Sequence, residues 1–196
     1  FEVEKGDIVL DCGASIGPFS YSIKGKKPKR IIGVEPSQTE IPTLTTNMKG
    51  SNFTLVPYAI SNQDGEKELL YIFESTNQNS AFSKTLVKTL KFTSLLKQYD
   101  IKKIDFFKTD CEGGEYDIFN SENIWWIKNN IKKIAGEWHL STPELKAKFR
   151  AFRDTYLRLF PNHMVSAING VDIKWDLWND HFIEYYTEVF IYIDNR

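Results

Sequence analysis

The sequence predicts a doubly wound α/β fold with a mostly parallel, Rossmann-like sheet. Apolar runs alternate with segments of helical periodicity along the chain, which is the pattern of parallel strands joined by helices. The first run, Ile8-Val9-Leu10, leads into a turn that contains glycines, and the second, RIIGV at 30–34, is followed by Glu35. In an open α/β sheet, ligands bind at the carboxyl ends of the strands. The fold prediction therefore also locates a candidate ligand site.

Each element has its own local signal. Runs of β-branched, aromatic and other apolar residues predict seven main strands and one additional strand. The main strands are expected at 7–11, 30–35, 53–58, 104–109, 132–138, 163–168 and 187–193, and the additional strand at 66–73. Helices are expected from Pro18, over 38–49, at 92–99, from Gly114 to Asn120 and over 142–159. Ser37 is the expected N-cap of the second helix and Gly50 its terminator. The polar stretch 74–85 is expected to be a mobile loop.

The turn after the first strand has the spacing Asp-x-Gly-x-x-x-Gly, formed by Asp11, Gly13 and Gly17. Glycines allow positive φ angles and let a ligand approach the backbone closely. The spacing differs from the G-x-G-x-x-G of dinucleotide sites, and an acid precedes the first glycine. A carboxylate there would repel a phosphate and attract an ammonium or sulfonium group. The turn therefore favours a small cationic ligand with an amino-acid head group.

Glu35 supplies the second half of this signal. It lies 24 positions after Asp11, close to the offset of about 20 residues at which an acid binds a ribose diol in nucleotide-binding folds. The two motifs together indicate a nucleoside cofactor with a cationic centre, and we predict S-adenosylmethionine. The alternative is a strand–turn–helix unit with a solvated acid at its edge.

Length and composition exclude several classes of protein. The 196 residues suit one domain of ordinary size. The net charge of −1 predicts no nucleic-acid partner, and no apolar run approaches the ~20 residues that span a bilayer. No signal peptide is visible, and Cys12 and Cys111 are expected to be two buried thiols, with a disulfide as the alternative. We therefore expect a cytoplasmic protein.

Several segments together resemble the FkbM-type methyltransferases. They are DCGASIGPFS (11–20), VEPS (34–37), Asn47 near a helix end, AISNQDGE (59–66) and FKTDCEGGEY (107–116). The resemblance covers roughly residues 7–140, and the block Lys-x-Asp-x-Glu-Gly-x-Glu at 108–115 is its most specific part. Cys12 and Ser15 stand where the family more often has Val and Asn. The resemblance implies a class I methyltransferase architecture with an antiparallel last strand, S-adenosylmethionine as cofactor, and methylation of a hydroxyl oxygen on a natural product or sugar.

We expect residues 1–196 to form a single methyltransferase domain. The chain begins with Phe1 and enters its first strand within seven residues. This start predicts a domain excised from a longer, multidomain protein, with glycosyltransferases among the domains to which it would be fused. Trimming of an N-terminal element is the alternative.

Methyl transfer to an alcohol needs an acceptor oxygen held in line with the methyl group and a group that takes up its proton. Lys108, Asp110 and Glu112 lie at the end of the strand predicted at 104–109, and alternation along an extended segment places them on one side. We predict catalytic roles for these three residues, with Asp110 also beside the cofactor. Glu112 and Glu115 have the alternative role of helix-start residues, where acids are favoured.

Glu137 and His139 lie at the end of the strand predicted at 132–138. His139, with an ordinary pKa near ~6.5, is the preferred base. Glu137 is expected to orient His139, to bind the acceptor, or to join Asp110 in holding Mg²⁺ or Mn²⁺, although nothing in the spacing requires a metal. A histidine base predicts a rate that falls as its ring becomes protonated, whereas a cation predicts inhibition by a chelator.

The acceptor and the remaining cofactor contacts are less sharply indicated. Further cofactor contacts are expected at Ala14, Phe19, Ser20, Pro36, Ala59 and Ile60, with a helix cap as the alternative for Ser20. The acceptor is expected to be a small molecule or glycan, with a sugar hydroxyl preferred. One alternative is methylation of nitrogen in a nucleobase or protein, although TDCEGG stands where an Asn/Asp-Pro-Pro-Tyr motif would be expected. The other is a cofactor-binding domain without catalysis.

Overall fold

The computed structural model describes the backbone of residues 1–73 and 81–196, and the side chains of residues 1–68 and 84–196. Within these ranges the chain forms ten strands: β1 (Ile8–Cys12), β2 (Arg30–Val34), β3 (Phe53–Val56), β4 (Ala59–Ile60), β5 (Gly65–Phe73), β6 (Ala81–Leu90), β7 (Ile104–Thr109), β8 (Ile131–His139), β9 (His163–Ser166) and β10 (Glu188–Asp194). The α-helices are α1 (Pro18–Ile23), α2 (Ile41–Asn47), α3 (Phe92–Gln98), α4 (Glu115–Ile118), α5 (Ile124–Asn130), α6 (Pro143–Thr155) and α7 (Asp180–Ile183).

The main sheet has seven strands in the order β3-β2-β1-β7-β8-β10-β9. Strands β1, β2, β3, β7 and β8 pair in parallel, and β10 runs antiparallel to both of its neighbours. The predicted fold class and the predicted antiparallel last strand are therefore confirmed. The strand order reverses between β1 and β7, so their carboxyl ends border the crevice in which ligands bind in such sheets.

Two apolar clusters cover the two faces of this sheet. Successive residues of a strand point to opposite faces, so Leu10 and Phe107 belong to the larger cluster, and Val9 and Phe106 to the smaller. The larger cluster includes residues of α3, α4, α5 and α6, and the smaller includes residues of α1 and α2. Because both faces are covered, the strands are continuous apolar runs, as is typical of parallel sheets.

A second, smaller sheet lies between β3 and α3 in the chain, with the order β4-β6-β5. Strand β5 confirms the additional strand predicted at 66–73, and it pairs antiparallel with β6 from Gly65 opposite Thr89 to Phe73 opposite Ala81. Of the loop predicted at 74–85, residues 74–80 lie outside the described residues. The prediction is wrong for residues 81–85, which form the start of β6. Although the segment has polar side chains, each of its residues pairs with a residue of β5.

The start of α2 also differs from the prediction. Ser37 does not cap this helix, which begins at Ile41 after Glu40. Instead, the Ser37 main-chain carbonyl accepts hydrogen bonds from the N–H groups of Glu40 and Ile41, at 3.2 and 3.1 Å. These bonds form a tight turn, so α2 begins about one helical turn later than the N-cap signal at Ser37 predicts. Helix α5 was not predicted from the sequence.

The structure also bears on the two cysteines and on the expected absence of a membrane-spanning segment. Cys12 and Cys111 are free thiols; Cys12 is buried as expected, whereas Cys111 is only half-buried. Among the helices of the described residues, none combines the length and the apolar composition that crossing a bilayer requires.

Asp105 joins three elements at the opposite end of the sheet from the crevice. Its side chain is 5% exposed, and its Oδ1 lies 2.7 Å from the Lys132 ammonium group. Its Oδ2 accepts a hydrogen bond from the Ile8 N–H at 2.9 Å. Burial by itself would raise the pKa of Asp105, but the Lys132 and Ile8 hydrogen bonds prevail and hold this pKa below its ordinary value.

We expect Asp105→Asn to lower the free energy of unfolding by about 1 kcal/mol at neutral pH, because the ion pair with Lys132 is lost. The folded-state pKa of Asp105 is lowered, so its contribution is present above the unfolded pKa of ~3.9 and is lost as pH falls through the folded value. Urea unfolding at neutral pH and at about pH 3 measures both effects. The exposed Asp100, which pairs with Lys102, provides the control Asp100→Asn, with little change expected. If the free energy of unfolding of Asp105→Asn differs from that of the unaltered chain by the same amount at about pH 3 as at neutral pH, the prediction is contradicted.

Candidate active site

The turn after β1 requires glycine at two positions for different reasons. Gly13 has a φ of +75°, and a Cβ placed on it would lie 1.7 Å from the main-chain oxygen of Asp110. Gly17, with a φ of +93°, immediately precedes α1, and its Cβ would lie 2.9 Å from Cδ1 of Leu44. The first glycine therefore allows the ends of β1 and β7 to touch, and the second allows α1 to pack on α2. We call residues 11–17 the glycine turn.

Asp11 is the first residue of the glycine turn, and its side chain is fully buried. Its Oδ2 accepts a hydrogen bond of 2.6 Å from the Ser20 hydroxyl, while its Oδ1 has no hydrogen-bond donor among the described residues. Burial raises the pKa of Asp11, and the nearby Lys108 ammonium and the Ser20 hydroxyl offset this only in part. Ser20 thus holds Asp11, a role that neither sequence interpretation of this serine had included.

Lys108 links the glycine turn to β7. Its ammonium group donates a hydrogen bond of 2.7 Å to the carbonyl of Gly13 and lies 3.4 Å from a carboxylate oxygen of both Asp11 and Asp110. Burial opposes the charge of Lys108, but these two carboxylates prevail and raise its pKa. A catalytic role for Lys108 stays a prediction. The contacts themselves fix the turn and compensate its buried charge.

Glu35, at the end of β2, shapes the same turn from the other side. Its two carboxylate oxygens accept hydrogen bonds from the N–H groups of Ser15 and Ser37, each at 2.8 Å. Burial raises the pKa of Glu35, and these two N–H groups lower it in part. Because each carboxylate oxygen has two acceptor sites, Glu35 keeps capacity for the hydroxyls of a ribose. The half-buried Pro36 separates Glu35 from Ser37.

The remaining predicted contacts near the turn separate into two groups. Ala14 is buried in the turn, and its N–H donates a hydrogen bond of 3.0 Å to the carbonyl of Val34. Phe19 instead stacks on Phe106, with ring centroids 5.7 Å apart, as part of the smaller core cluster. The structure therefore places Ala14 in the candidate cofactor site and uses Phe19 in packing.

Strand β4 brings two further predicted cofactor contacts, Ala59 and Ile60, to the same edge. Ala59 and Ile60 pair in parallel with β6. The carbonyl oxygen of Ile60 lies 3.6 Å from the position that a Cβ on Gly114 would occupy. Gly114 belongs to the turn after β7. Ala59 and Ile60 therefore lie on the β7 side of the crevice.

The turn after β7 departs from the predicted extended geometry. Glu112 and Gly113 have left-handed φ angles of +51° and +98°, so alternation along a strand does not explain where the Glu112 side chain lies. Nevertheless, Oε2 of Glu112 lies 3.4 Å from Nε2 of His139. The Glu112 side chain is 88% exposed. The predicted proximity of Glu112 to the site is correct, but its stated reason is wrong.

Glu115 closes this turn and is the first residue of α4, which confirms the helix-start role predicted as its alternative. It is fully buried at the start of α4, and its oxygens accept hydrogen bonds from the N–H groups of Cys111 (2.6 Å) and Gly113 (2.9 Å). Its Oε1 also lies 3.3 Å from Nδ1 of His139. The final Glu of the Lys-x-Asp-x-Glu-Gly-x-Glu block therefore holds both the turn and the ring of His139.

His139 is surrounded by carboxylates. Its side chain is 9% exposed, and with Nδ1 held by Glu115, its Nε2 lies 3.4 Å from Glu112, 3.5 Å from Glu137 and 3.9 Å from Asp110. Burial alone would lower the pKa of His139, but the neighbouring carboxylates prevail and raise it to about 9. A histidine in this setting is protonated at neutral pH unless another cation replaces the proton.

Glu137 completes the group, because β7 and β8 run side by side with Thr109 opposite Gly136. Burial and the proximity of Asp110 raise the pKa of Glu137 to about 7, against the effect of His139. The structure therefore brings together four of the five predicted catalytic residues. We call Asp110, Glu112, Glu137 and His139 the His139 cluster.

The segment 167–187 lies at the same edge of the sheet. It leaves the carboxyl end of β9, which runs in the same direction as β8, and leads into the first residue of β10, Glu188, which lies opposite His139. Trp175 and Tyr185 in this segment are 82% and 70% exposed. Exposed aromatic rings thus occur in the connection that borders the crevice.

Comparison with known proteins agrees with this geometry. The family model for the methyltransferase FkbM domain matches residues 11–160, which include the glycine turn and the His139 cluster. No curated protein matches the sequence.

Similar folds occur among solved structures. They include the precorrin-8w decarboxylase of Methanobacterium thermoautotrophicum, with 18% identity, a TM-score of 0.53, and coverage of 97% of this chain and 82% of that one. An rRNA methylase from Streptococcus thermophilus is 11% identical, with a TM-score of 0.52 and coverage of 98% and 89%. A candidate methyltransferase from Streptococcus mutans in complex with SAH is 9% identical, with a TM-score of 0.51 and coverage of 98% and 90%. At these identities the likeness shows the fold alone.

Proposed function

The chain belongs to the FkbM methyltransferase domain family, and on that premise we propose that it is an S-adenosylmethionine-dependent O-methyltransferase that acts on a sugar hydroxyl of a glycan or glycoconjugate. The observation that carries this proposal is the location of the His139 cluster. The cluster includes Asp110, whose main chain touches Gly13 of the glycine turn. Groups that can take up a proton therefore lie next to the candidate cofactor site, as methyl transfer to an alcohol requires.

The residues of the turn suit the cofactor. Asp11 has a buried oxygen without a hydrogen-bond donor among the described residues, and Gly13 and Gly17 give the turn left-handed backbone angles that residues with side chains rarely adopt. S-adenosylmethionine, when bound, supplies an electrophilic methyl group on a sulfonium. The residues that would hold it are Asp11, Gly13, Ala14, Gly17, Glu35, Pro36, Ala59 and Ile60.

The chain's own contribution to the reaction is to position the acceptor and to remove its proton. Glu115 holds Nδ1 of His139, so Nε2 is the ring atom that faces Asp110 and Glu137. An acceptor hydroxyl at this point meets the carboxylates of Asp110 and Glu137, which can take up its proton, and Nε2 of His139, which when protonated can donate a hydrogen bond to its oxygen. Fixed positioning of this kind contributes much of the rate in displacement reactions.

The charge and the aromatic rings at this edge favour a neutral sugar over a nucleic acid. The carboxylates of the His139 cluster and the nearby Glu188 give the edge negative charge, which repels a polyanion. Trp175 and Tyr185 offer exposed rings that can stack on the apolar faces of a sugar. The likeness to an rRNA methylase is one of fold, so we infer the acceptor from the chemistry of the site.

We expect S-adenosylmethionine and its demethylated product to bind the glycine turn. At ~100 times its dissociation constant, either ligand should raise the free energy of unfolding by about 2.7 kcal/mol. Calorimetric titration with both compounds, and with NAD as the comparison, tests this. Heat from NAD together with none from either sulfur compound would reject the methyltransferase assignment.

The acceptor class is tested by a screen with a cofactor that carries a labelled methyl group. We expect label to be transferred to sugars and polyols, and to neither short RNA nor peptides. Mapping the labelled position by mass spectrometry distinguishes oxygen from nitrogen. Transfer to RNA or peptide alone would contradict the proposal, and cofactor binding without transfer to any acceptor would favour a non-catalytic domain.

A further inference from the structure

We propose that the His139 cluster is a divalent-cation site, with Asp110, Glu112 and His139 as its protein ligands. A carboxylate oxygen of each acid and a ring nitrogen of His139 all lie within 4.8 Å of one another. Ligands of an octahedral cation at about 2.1 Å stand ~3.0 Å apart in cis and ~4.2 Å apart in trans. Small side-chain adjustments therefore bring the three groups around one ion. The role of the ion rests on the proposed function, because it would bind the acceptor hydroxyl.

The histidine distinguishes this group from an ordinary cluster of surface acids. Its side chain is nine-tenths buried, and Nδ1 lies 3.3 Å from the fully buried Glu115. Metal-binding histidines commonly donate their second ring N–H to a carboxylate in this manner, which fixes both the tautomer and the ring orientation. With the proton on Nδ1, the lone pair of Nε2 points toward Glu112 and Asp110, at 3.4 and 3.9 Å. A cation between them would take the place of the proton that Nε2 otherwise carries and would bind all three groups.

Two of the three carboxylates of the cluster also lack a lysine or arginine partner among the described residues. Among the residues that the structure describes, Glu112 and Glu137 form ion pairs with His139 and with no lysine or arginine. Lys108 lies 3.4 Å from Asp110 but donates its hydrogen bond to the Gly13 carbonyl. An added cation would therefore compensate charge that the chain itself leaves unbalanced.

The chemistry of the donor set indicates which cations would bind. Two carboxylates and one imidazole suit Mg²⁺ and Mn²⁺, which keep several water molecules in their coordination shell. With three protein ligands, other positions stay open to an acceptor hydroxyl, whose pKa a bound cation lowers. Glu137, 3.5 Å from Nε2 of His139, stands beside these positions without being needed as a ligand.

Binding of Mn²⁺ alone tests the site without reference to activity. We expect electron paramagnetic resonance titration of the full chain to show one Mn²⁺ site that Mg²⁺ competes for. Glu112→Gln should weaken this affinity by at least ~10-fold, and His139→Gln by at least as much. Glu112 is largely exposed, so its variant should keep the fold, which circular dichroism checks. Glu2→Gln, at the opposite end of the sheet beside Lys26, is the matched control and should bind Mn²⁺ like the unaltered chain.

Absence of a competed Mn²⁺ site, or equal affinity in Glu112→Gln and Glu2→Gln, would overturn the cation proposal. The proposed function fails separately. If the unaltered chain binds Mn²⁺, Glu112→Gln loses that binding, and the acceptor screen finds no methylated hydroxyl, the cation site stands and the proposed function is rejected. Methylation of a sugar hydroxyl that persists at full rate in excess EDTA, by a chain that binds no Mn²⁺, would leave the function standing and reject the site.

Discussion

Gly13→Ala is expected to abolish cofactor binding and to cost about 3 kcal/mol or more in the free energy of unfolding. The added methyl group would lie 1.7 Å from the main-chain oxygen of Asp110, and no side-chain rotation can relieve a clash with backbone. The φ of +75° adds strain for any residue other than glycine. Because relief requires β1 and β7 to separate at their carboxyl ends, the turn can no longer hold its shape.

Substitutions at two other glycines distinguish the effect of the steric clash from the effect of the left-handed φ. Gly50 has a φ of +77° with open space around it, so Gly50→Ala should cost only about 1 kcal/mol. Gly25 has open space and no left-handed φ, so Gly25→Ala should be close to neutral. Urea unfolding of the three variants, with calorimetric titration of S-adenosylmethionine, gives both readouts. Near-normal stability and affinity in Gly13→Ala would show that the strand ends do not meet as the structure has them.

The strand positions could be predicted because each main strand is an unbroken apolar run. After a half-buried first residue, β1 and β2 are buried on both faces, so local composition alone identifies them. The first half of β6 carries no such run. Its residues 81–85 form a strand because β5 pairs with them, and a pairing partner at this distance along the chain is invisible to local patterns.

The candidate site shows the same division between local and tertiary information. The positions of Asp110, Glu137 and His139 follow from strand ends, which the sequence marks clearly. The location of Glu112 depends on a left-handed turn, and that of Glu115 on hydrogen bonds to that turn, so strand alternation describes neither. The raised pKa of His139 arises from carboxylates gathered by three different segments. Its ordinary pKa was therefore a poor guide to its protonation in the fold.

Asp110→Asn is expected to keep cofactor binding and to lower kcat by ~10²–10⁴-fold, the range typical of removing a group that assists proton transfer. The main-chain contact of Asp110 with the glycine turn does not depend on its side chain. Its carboxylate, in contrast, lies 3.9 Å from Nε2 of His139 on the acceptor side. The substitution is nearly isosteric and changes mainly the charge, so structure and cofactor affinity should persist while turnover falls.

The exposed Asp100 again supplies the matched control, since Asp100→Asn makes the same chemical change at a φ of +51° that asparagine tolerates. Cofactor affinity by calorimetry and kcat on the acceptor found in the screen should be measured for both variants. A chain with Asp110→Asn that binds cofactor and turns over at the full rate would make Asp110 structural. A loss of cofactor affinity equal to the loss of kcat/KM would instead move Asp110 to the cofactor side of the site. The expected result, normal affinity with a kcat reduced only in Asp110→Asn, requires its carboxylate to act on the acceptor.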